Sequence, residues 1–361
     1  MIYKITLKPT GSFYFGGENS FGEAKARGNS EDDIAKNYFS KRSAYFAKGE
    51  MFPQQTQLLG MLRKEIMRKH ACLKLHNSGE CIEKGKKNDA VRLVGLNWKA
   101  NLGQIKQLSP LFLEKEGELY VPSPMDKGLS LVKKEGASYI NGRKSDVSYA
   151  FKNTDDTFFN AKDAMSDDYI SETSSLTLNS VFKPVTRIGN QTLGYTEDDE
   201  EQLYKITAYK LQKEVHFVCY LQTKEDLFGC VQTETYESIV ELGGERSTFK
   251  LEVMVEDEIP NYQEIYEQDV KQEARVILMS DSYVDVDIFS SCDIVLSQKV
   301  PFRTISSNKH GFSKSSKEVL LKKGTVFYPK EDTIMSICES ISEAKEFQKI
   351  GYNQYIIIDN K

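Results

Sequence analysis

The sequence has little of what most catalytic and secreted proteins advertise. One Trp, four His and nine Pro stand among its 361 residues, and the six Cys (72, 81, 219, 230, 292, 338) never form a CxxC pair. Cysteines scattered in this way fit reduced core thiols rather than a disulfide framework. No apolar run approaches the roughly 18 residues that a membrane span needs, and the opening stretch MIYKITLKPT carries Lys4 with no apolar core of a leader. The expectation is a cytoplasmic protein with no membrane partner. The Walker pattern G-x-x-x-x-G-K-[ST], the dinucleotide pattern G-x-G-x-x-G and the nucleophile elbow G-x-S-x-G are all missing. P-loop nucleotide chemistry, Rossmann redox chemistry and α/β-hydrolase chemistry therefore have no footing, and no cofactor is expected.

What is present is a chain long enough for two ordinary domains, with 39% hydrophobic and 28% charged residues and 19 Phe beside 19 Tyr. The net charge of −5 argues against a free-standing nucleic-acid binder. The average conceals two basic zones. Between Lys41 and Lys87 eleven Lys/Arg face four Glu, and between Lys299 and Lys330 eight Lys/Arg face Glu318 alone. The compensating acid gathers at Glu197-Asp198-Asp199-Glu200-Glu201 and between Glu252 and Glu273. Two basic zones on an acidic body suggest one anionic track; solvated charge runs are the plainer alternative.

Tyr3, Ile5 and Leu7 alternate with Lys4, Thr6 and Lys8, the period of a half-buried first strand. After Phe52-Pro53, the apolar residues Leu58, Leu59, Leu62, Ile66 and Leu73 recur at helical spacing, opposite Arg63, Lys64 and Arg68. Leu111-Phe112-Leu113 and Leu119-Tyr120-Val121 around Gly117 read as a hairpin closed by Pro122-Ser123-Pro124. From about Lys127 to Ser180 the chain turns polar and aperiodic, as an inserted excursion that is either a projecting hairpin or a linker. The second half reads as strands over Leu203–Leu211 and Val215–Leu221 joined by a hairpin at Lys213, then a helix over Glu225–Val240 that ends at Gly243-Gly244. Alternation over Phe249–Val255 marks another strand. A helix over Glu264–Glu273 and strands over Val276–Met279, Gly324–Tyr328 and Tyr355–Ile358 follow. The order suggests an α+β protein of two ferredoxin-like (RRM-like) domains with a long insertion: residues 1–126, an excursion over 127–180, and residues 181–361.

Several side-chain groupings could carry chemistry. His70, Cys72, His76 and Cys81 are all of ligand type, yet the spacing begins inside a helix, where residues 70 and 72 point about 200° apart. No metal site is expected. The helix after Pro53 offers free first-turn amides and the positive end of its dipole to a phosphate, with Thr56 as a cap or donor and Gly60 leaving room for a second backbone. Arg63, Lys64 and Arg68, with Lys41 and Arg42 nearby, would extend that surface; the alternative is a core helix with a solvated face. Gly243 and Gly244, followed by Arg246, could converge amides on an anion or simply cap a helix. RNA cleavage through the 2′-OH would need a positioned base, for which His310, beside Lys309 and Lys314, is the best-placed candidate and His216 the worst.

Taken together the segments resemble the repeat-associated mysterious protein (RAMP) superfamily, in particular the type III-B CRISPR Cmr-complex subunit that caps the 5′ end of the guide. The resemblance is carried by the aromatic loop Gly11–Gly17 and by Phe52-Pro53-Gln54-Gln55-Thr56-Gln57-Leu58-Leu59-Gly60-Met61-Leu62-Arg63, which is similar to the family's P-x-x-T-x-x-x-G-x-L-R helix. Ser109-Pro110-Leu111-Phe112-Leu113 and Tyr120-Val121-Pro122-Ser123-Pro124-Met125-Asp126 resemble its G-P-F-L and F-P-x-P-x-D pieces, with Ser109 in place of glycine. Arg187-Ile188-Gly189, Leu242-Gly243-Gly244-Glu245-Arg246 and Lys323-Gly324-Thr325-Val326-Phe327-Tyr328 also fit. The family often closes with a Gly-aromatic-Gly loop, whereas Gly351-Tyr352-Asn353 has Asn at the second glycine, which still tolerates a left-handed backbone.

The resemblance implies a non-catalytic RNA-binding subunit that holds the repeat-derived 5′ handle of the guide RNA (crRNA). Its implied partners are the large polymerase/cyclase-type signature subunit and the RAMP backbone subunit, with target RNA met indirectly. Gln55, Thr56, Gly60, Arg63, Lys64, Arg68, Arg187, Gly243, Gly244, Arg246, Gly351, Tyr352 and Asn353, with Lys41 and Arg42, are the implied RNA contacts. The alternatives are a metal-independent endoribonuclease that trims guide precursor, and a protein scaffold without RNA contact.

Overall fold

The computed structural model describes residues 1–16, 45–76, 79–95, 97, 99–140, 143–159, 168–191, 202–230, 234–267, 273–308 and 311–359. The chain opens with β1 (Ile2–Pro9). Next, β2 (Tyr45–Lys48) leads into α1 (Gln55–Lys69), and a small hairpin, β3 (Leu73–His76) and β4 (Gly79–Ile82), precedes α2 (Lys87–Val94). Then come β5 (Ile105–Leu108), β6 (Phe112–Lys115), β7 (Glu118–Pro122), a long ribbon of β8 (Ser130–Ile140) and β9 (Arg143–Lys152), and the short β10 (Asp168–Ile170) and β11 (Ser175–Thr177). After α3 (Leu178–Val181) run β12 (Phe182–Gln191), β13 (Gln202–Leu211), β14 (Val215–Thr223), β15 (Tyr236–Glu241) and β16 (Thr248–Glu256). The last third holds α4 (Gln263–Glu267), β17 (Arg275–Leu278), a 3-10 turn over Val286–Ser291, β18 (Cys292–Leu296) and β19 (Lys299–Phe302). It ends with β20 (Ile305–Asn308), β21 (Gly311–Lys314), β22 (Glu318–Leu321), β23 (Val326–Pro329), α5 (Ile334–Ser342), α6 (Lys345–Gln348) and β24 (Tyr355–Ile358).

The main sheet runs β11-β10-β7-β6-β14-β1-β16-β15, with β5 also on β14. Within it, β6, β14, β1 and β16 lie in the 2-3-1-4 order of a ferredoxin-like unit, with α1 as the first crossover and antiparallel neighbours throughout. A second sheet, β18-β23-β17-β24, repeats that order with antiparallel pairs, α5 lying between β23 and β24. The α+β architecture of antiparallel sheets expected from the sequence is therefore present. The first unit takes its third and fourth strands from residues 215–256, so the cuts expected at 126 and 181 fall between strands of one sheet.

The layers follow from which side chains are apolar. Alternation in β1 buries Tyr3, Ile5 and Leu7 completely against Leu58, Leu62 and Ile66 of α1. On the opposite face, Phe112, Val121 and Ile170 pack against Ile277, Val326, Tyr328 and Ile356 of the second sheet. The far face of that sheet, Val276, Leu278 and Phe327, is covered by Ile337, Cys338 and Ile341 of α5. The result is helix, sheet, sheet, helix.

Four local expectations are corrected. Residues 225–240 do not form a helix: the described residues turn after β14 and then enter the edge strand β15, which pairs with β16 from Tyr236↔Val253 to Glu241↔Thr248. No hairpin forms at Lys213, because β13 joins a three-stranded sheet with β12 and β2 while β14 enters the main sheet. Leu73 belongs to β3 and not to the helix, which stops at Lys69, with Ala71 at a φ of 50°. The polar excursion is shorter than expected: β8 and β9 form a ribbon, and β10 then returns to the main sheet beside β7.

Candidate nucleic-acid interface

Pro53 is buried just ahead of α1, and Gln54 takes an extended ψ of 146° as its N-cap without a side-chain cap bond. The first-turn amides are not open as expected. Gln55 N donates to the Tyr352 hydroxyl at 3.1 Å, and Thr56 also bonds that hydroxyl. Tyr352 is buried, and burial pushes its phenol pKa up, so it stays a neutral cap for the helix. Its neighbours show why this loop has its sequence. Gly351 sits at a φ of 90°, where an added Cβ would stand 2.5 Å from Ser109 O. Asn353, at a φ of 53° and fully buried, donates to Tyr283 O and Ile341 O and accepts from Tyr283 N. The second-glycine position is thus a buried bracket. Ser109, in the other departure from the family pattern, accepts from Tyr220 N at 2.8 Å through its hydroxyl.

In front of this helix start lies a cavity of about 440 Å³. Its walls bring together Lys48 from the first basic zone and Lys322 and Lys323 from the second, with Phe52, Gln55, Leu111, Met279 and Tyr352. Lys323 Nζ stands 3.5 Å from the centre of the Phe52 ring, which in turn stacks on Tyr169 at 5.3 Å and 8°. The Lys322 ammonium donates to Gln298 Oε1 at 3.1 Å. Glu50 and Asp281 also line the cleft; the walls desolvate the Glu50 carboxyl and raise its pKa, while Lys48 and Lys322 pull it back. Asp281 accepts from Lys323 N, and its carbonyl accepts from Asn353 N, so the two loops are tied together. Cations over an apolar, aromatic floor at a helix start suit a phosphodiester strand with exposed bases.

The sequence-derived contacts distribute unevenly around this cleft. Gln55 and Tyr352 line it and Thr56 adjoins it. Gly60 is exposed, and an added Cβ would meet open space. The basic face of α1 is largely ion-paired within the chain: Lys64 lies 3.1 Å from Glu80 and 3.9 Å from Glu241, and Arg68 binds Glu65 and, at 2.8 Å, Glu80. Those bonds, Arg68's first, pull the Glu80 carboxyl down to about 2. Arg63 is largely desolvated, which pushes its guanidinium down to about 10; it reaches Asn101 O at 3.4 Å. Arg187, exposed on β12, donates to Ser12.

Gly243 and Gly244 belong to the β15–β16 hairpin and cap no helix. Gly244 N donates to Tyr14 O at 2.8 Å, and Gly243, at a φ of 92°, packs where a Cβ would stand 2.4 Å from that oxygen. Glu245 and Arg246 form the hairpin tip with φ of 55° and 52°, closed by Ser247 N on Gly244 O, the geometry of a type I′ turn. Lys41, Arg42 and His310 lie outside the described residues. Among the described residues no group of three His, Cys, Asp or Glu is placed to hold a metal ion. Cys72 is buried, His76 and Cys81 are exposed on the β3–β4 hairpin, and the His70 ring meets Leu227 O at 3.0 Å.

Lys48, Phe52, Tyr169, Lys322 and Lys323 did not stand out as site residues in the sequence. The signal was the pair of basic zones, which gives no sign that their ends meet.

Residues 156–360 match the family described as CRISPR-associated protein (Cas_Cmr3). A chain in a cryo-EM structure of the type III-B Cmr-beta bound to cognate target RNA is 14% identical, with 98% of this chain and 96% of that chain covered and a TM-score of 0.50. The same assembly with target RNA and AMPPnP gives 14% identity, the same coverage and a TM-score of 0.48. A chain of a Csm3-Csm4 subcomplex from the type III-A interference complex gives 11% identity over 91% of this chain and 92% of that chain, with a TM-score of 0.38. At such identities the likeness speaks to fold alone. No curated protein matches the sequence.

Proposed function

Because the chain belongs to the Cas_Cmr3 family of CRISPR-associated proteins, we propose that it is a non-catalytic RNA-binding subunit of a type III-B Cmr effector, holding the repeat-derived 5′ handle of the guide RNA in the cleft before α1. In this reading it bridges the large polymerase/cyclase-type signature subunit and the RAMP backbone filament, and meets target RNA only through the guide. The observation that carries the reading is the convergence of Lys48, Lys322 and Lys323 on a cleft with an aromatic floor. Phosphates supply most of the affinity in such contacts, and stacking supplies sequence-tolerant support.

Of the described histidines, His70 follows the last residue of α1, His76 lies on β3 and His216 on β14, and none lines the cleft. Burial and the nearby Lys8 hold the His216 imidazole below its ordinary pKa, and its strand also pairs it with Glu114.

The test is purification of the full chain with its neighbouring subunits, followed by sequencing of the RNA that accompanies them and crosslinking of that RNA to the chain. The expected result is a defined small RNA whose 5′ repeat-derived segment crosslinks near Phe52 and Lys323. Crosslinks confined to other subunits would favour a protein scaffold. Site-specific cutting of repeat RNA by the purified chain in chelator would favour the endoribonuclease.

A further inference from the structure

Gln55 combines three features at the start of α1. Its side chain is 8% exposed, it lines the cleft, and its Oε1 is buried without a hydrogen-bond partner. Buried carbonyl oxygens are rarely left unbonded in folded proteins, and the exceptions call for an explanation such as an absent ligand. The side chain is also held in place. Gly351 packs so closely that an added Cβ would stand 3.1 Å from Gln55 Cδ, and the Gln55 main-chain N is fixed on the Tyr352 hydroxyl. An acceptor immobilised by its neighbours, at the first residue of a 15-residue helix, is prepared for a donor that comes from outside the chain.

The rest of the cleft narrows what that donor is. Leu111, Met279 and Phe52 give apolar walls suited to the faces of a planar ring, and Lys322 and Lys323 put cations on the same cavity. A volume of about 440 Å³ is of small-ligand size and excludes a duplex. Single-stranded RNA is read where a base is splayed out, packed on side chains and hydrogen-bonded along its edge.

We propose that Gln55 reads one unpaired base of the bound RNA, its Oε1 accepting a hydrogen bond from that base's exocyclic amino group while the base packs against the apolar walls of the cleft. The inference rests on the proposed handle binding and adds a selectivity to it: one handle position takes an amino-bearing base and rejects the same base without its amine. Lys322 and Lys323 hold the flanking phosphates without regard to sequence.

The experiment uses the full chain, assembled with its neighbouring subunits, and synthetic guides in which each amino-bearing handle base is replaced in turn by its des-amino analogue. At one position the substitution is expected to weaken binding about tenfold in the wild type, the discrimination of one good base contact. In Gln55→Leu, and in Gln55→Glu as a variant whose carboxylate suits a helix first turn, the ratio at that position is expected to change, falling to near one in the leucine variant. Thermal melting of both variants controls for folding. Equal ratios in wild type and both variants at every position would overturn the base reading, as would a penalty from 2′-deoxy but not des-amino substitution. Handle-less guides binding as tightly as complete ones would overturn the handle reading itself, an outcome distinct from the loss of base selectivity alone.

Discussion

Asp126 and Arg275, 149 residues apart in sequence and both completely buried, meet at 2.8 Å where the two sheets face each other. Tyr328 donates its hydroxyl to the same carboxylate. The pair joins the end of the β7 segment to the first strand of the second unit, and it explains the two family-like pieces around it. Gly324, at a φ of 84°, lets the turn before β23 press against Ser123 O, and Met125 N donates to Gly324 O. Removing one partner of a buried ion pair is strongly destabilising, by about 3–5 kcal/mol. Asp126→Ala is therefore expected to lower the denaturant midpoint by an amount of that order, whereas replacing Asp126 and Arg275 together by apolar residues of similar volume recovers most of it. Urea titration of both variants checks this.

Gly351→Ala is expected to destabilise the chain and to disturb the cleft. The backbone at a φ of 90° is unfavourable for any side chain, and the added carbon meets Ser109 O at 2.5 Å. About 1–3 kcal/mol of strain is the expected scale. Because Tyr352 follows directly, the same change shifts the hydroxyl that caps Gln55 N. The readout is a lower melting temperature together with weaker guide binding. Tyr352→Phe, by contrast, loses the hydroxyl's bonds to Gln55 N and Thr56, each worth about 1 kcal/mol, with the loop otherwise in place.

Much of the scaffold was readable because its residues obey one period at a time. Alternation gave β1 and β16, helical spacing and Pro53 gave α1, and Gly117 between two apolar runs gave the β6–β7 hairpin. β15 was misread because Leu227, Val240 and Leu242 leave their spacing open to either period, and only pairing with β16 decides it. The double glycine followed the same error, since a hairpin turn and a helix end ask for the same residue. The basic face of α1 was visible, but its partners were not: Glu80 comes from a separate hairpin and Glu241 from β15. The cleft was hidden for the complementary reason, since Lys48 and Lys322 are neighbours only after both units have folded against each other.

Acid titration is expected to reveal the α1 ion pairs. Glu80 is held at about 2 in the folded chain, below its ordinary value of 4.5, chiefly by the Arg68 guanidinium. A carboxylate whose folded pKa is depressed contributes stability above its unfolded pKa and loses it as the pH falls through the folded one. The contribution is therefore complete above about pH 4.5 and declines toward pH 2. The group lies near the surface, so the effect is modest and weakens with salt. Urea midpoints between pH 5 and pH 2.5 should fall less steeply in Glu80→Gln than in the wild type; equal slopes would show that the pair contributes nothing.

Trimming the ribbon is expected to spare the fold. β8 and β9 pair only with each other among the named strands, while the base of the ribbon is anchored by Phe151, which packs 5.6 Å from the Tyr328 ring, and by Leu131. Replacing residues 134–148 by a short turn keeps both anchors. The melting temperature should stay within a degree or two of the wild type, since both anchors remain. If the ribbon meets the guide–target duplex in the assembled effector, the same deletion alters pairing near the 5′ end of the guide, which chemical probing of the target strand would detect.

Two sets of lysine and arginine side chains should separate cleanly in their response to salt. Lys64 and Arg68 are already neutralised by Glu65, Glu80 and Glu241, so a phosphate would have to displace an internal partner to use them. Lys322 and Lys323 line the cleft from one loop, where Lys322 donates to Gln298 Oε1 and Lys323 stands over the Phe52 ring. Binding of a single strand releases counterions in proportion to the phosphates neutralised, so the slope of log affinity against log salt falls by about 0.7 for each contact removed. Lys322→Gln with Lys323→Gln is then expected to flatten the slope by about 1.4 and to weaken binding most at low salt. Lys64→Gln with Arg68→Gln should leave the slope unchanged and instead lower the melting temperature, because Glu65, 1% exposed, loses its charged partner and keeps the Tyr236 hydroxyl as a donor. Measuring guide affinity for the assembled protein from 50 to 300 mM potassium chloride tests both halves, and a larger slope change from the α1 pair than from the cleft pair would move the phosphate track back to the helix face.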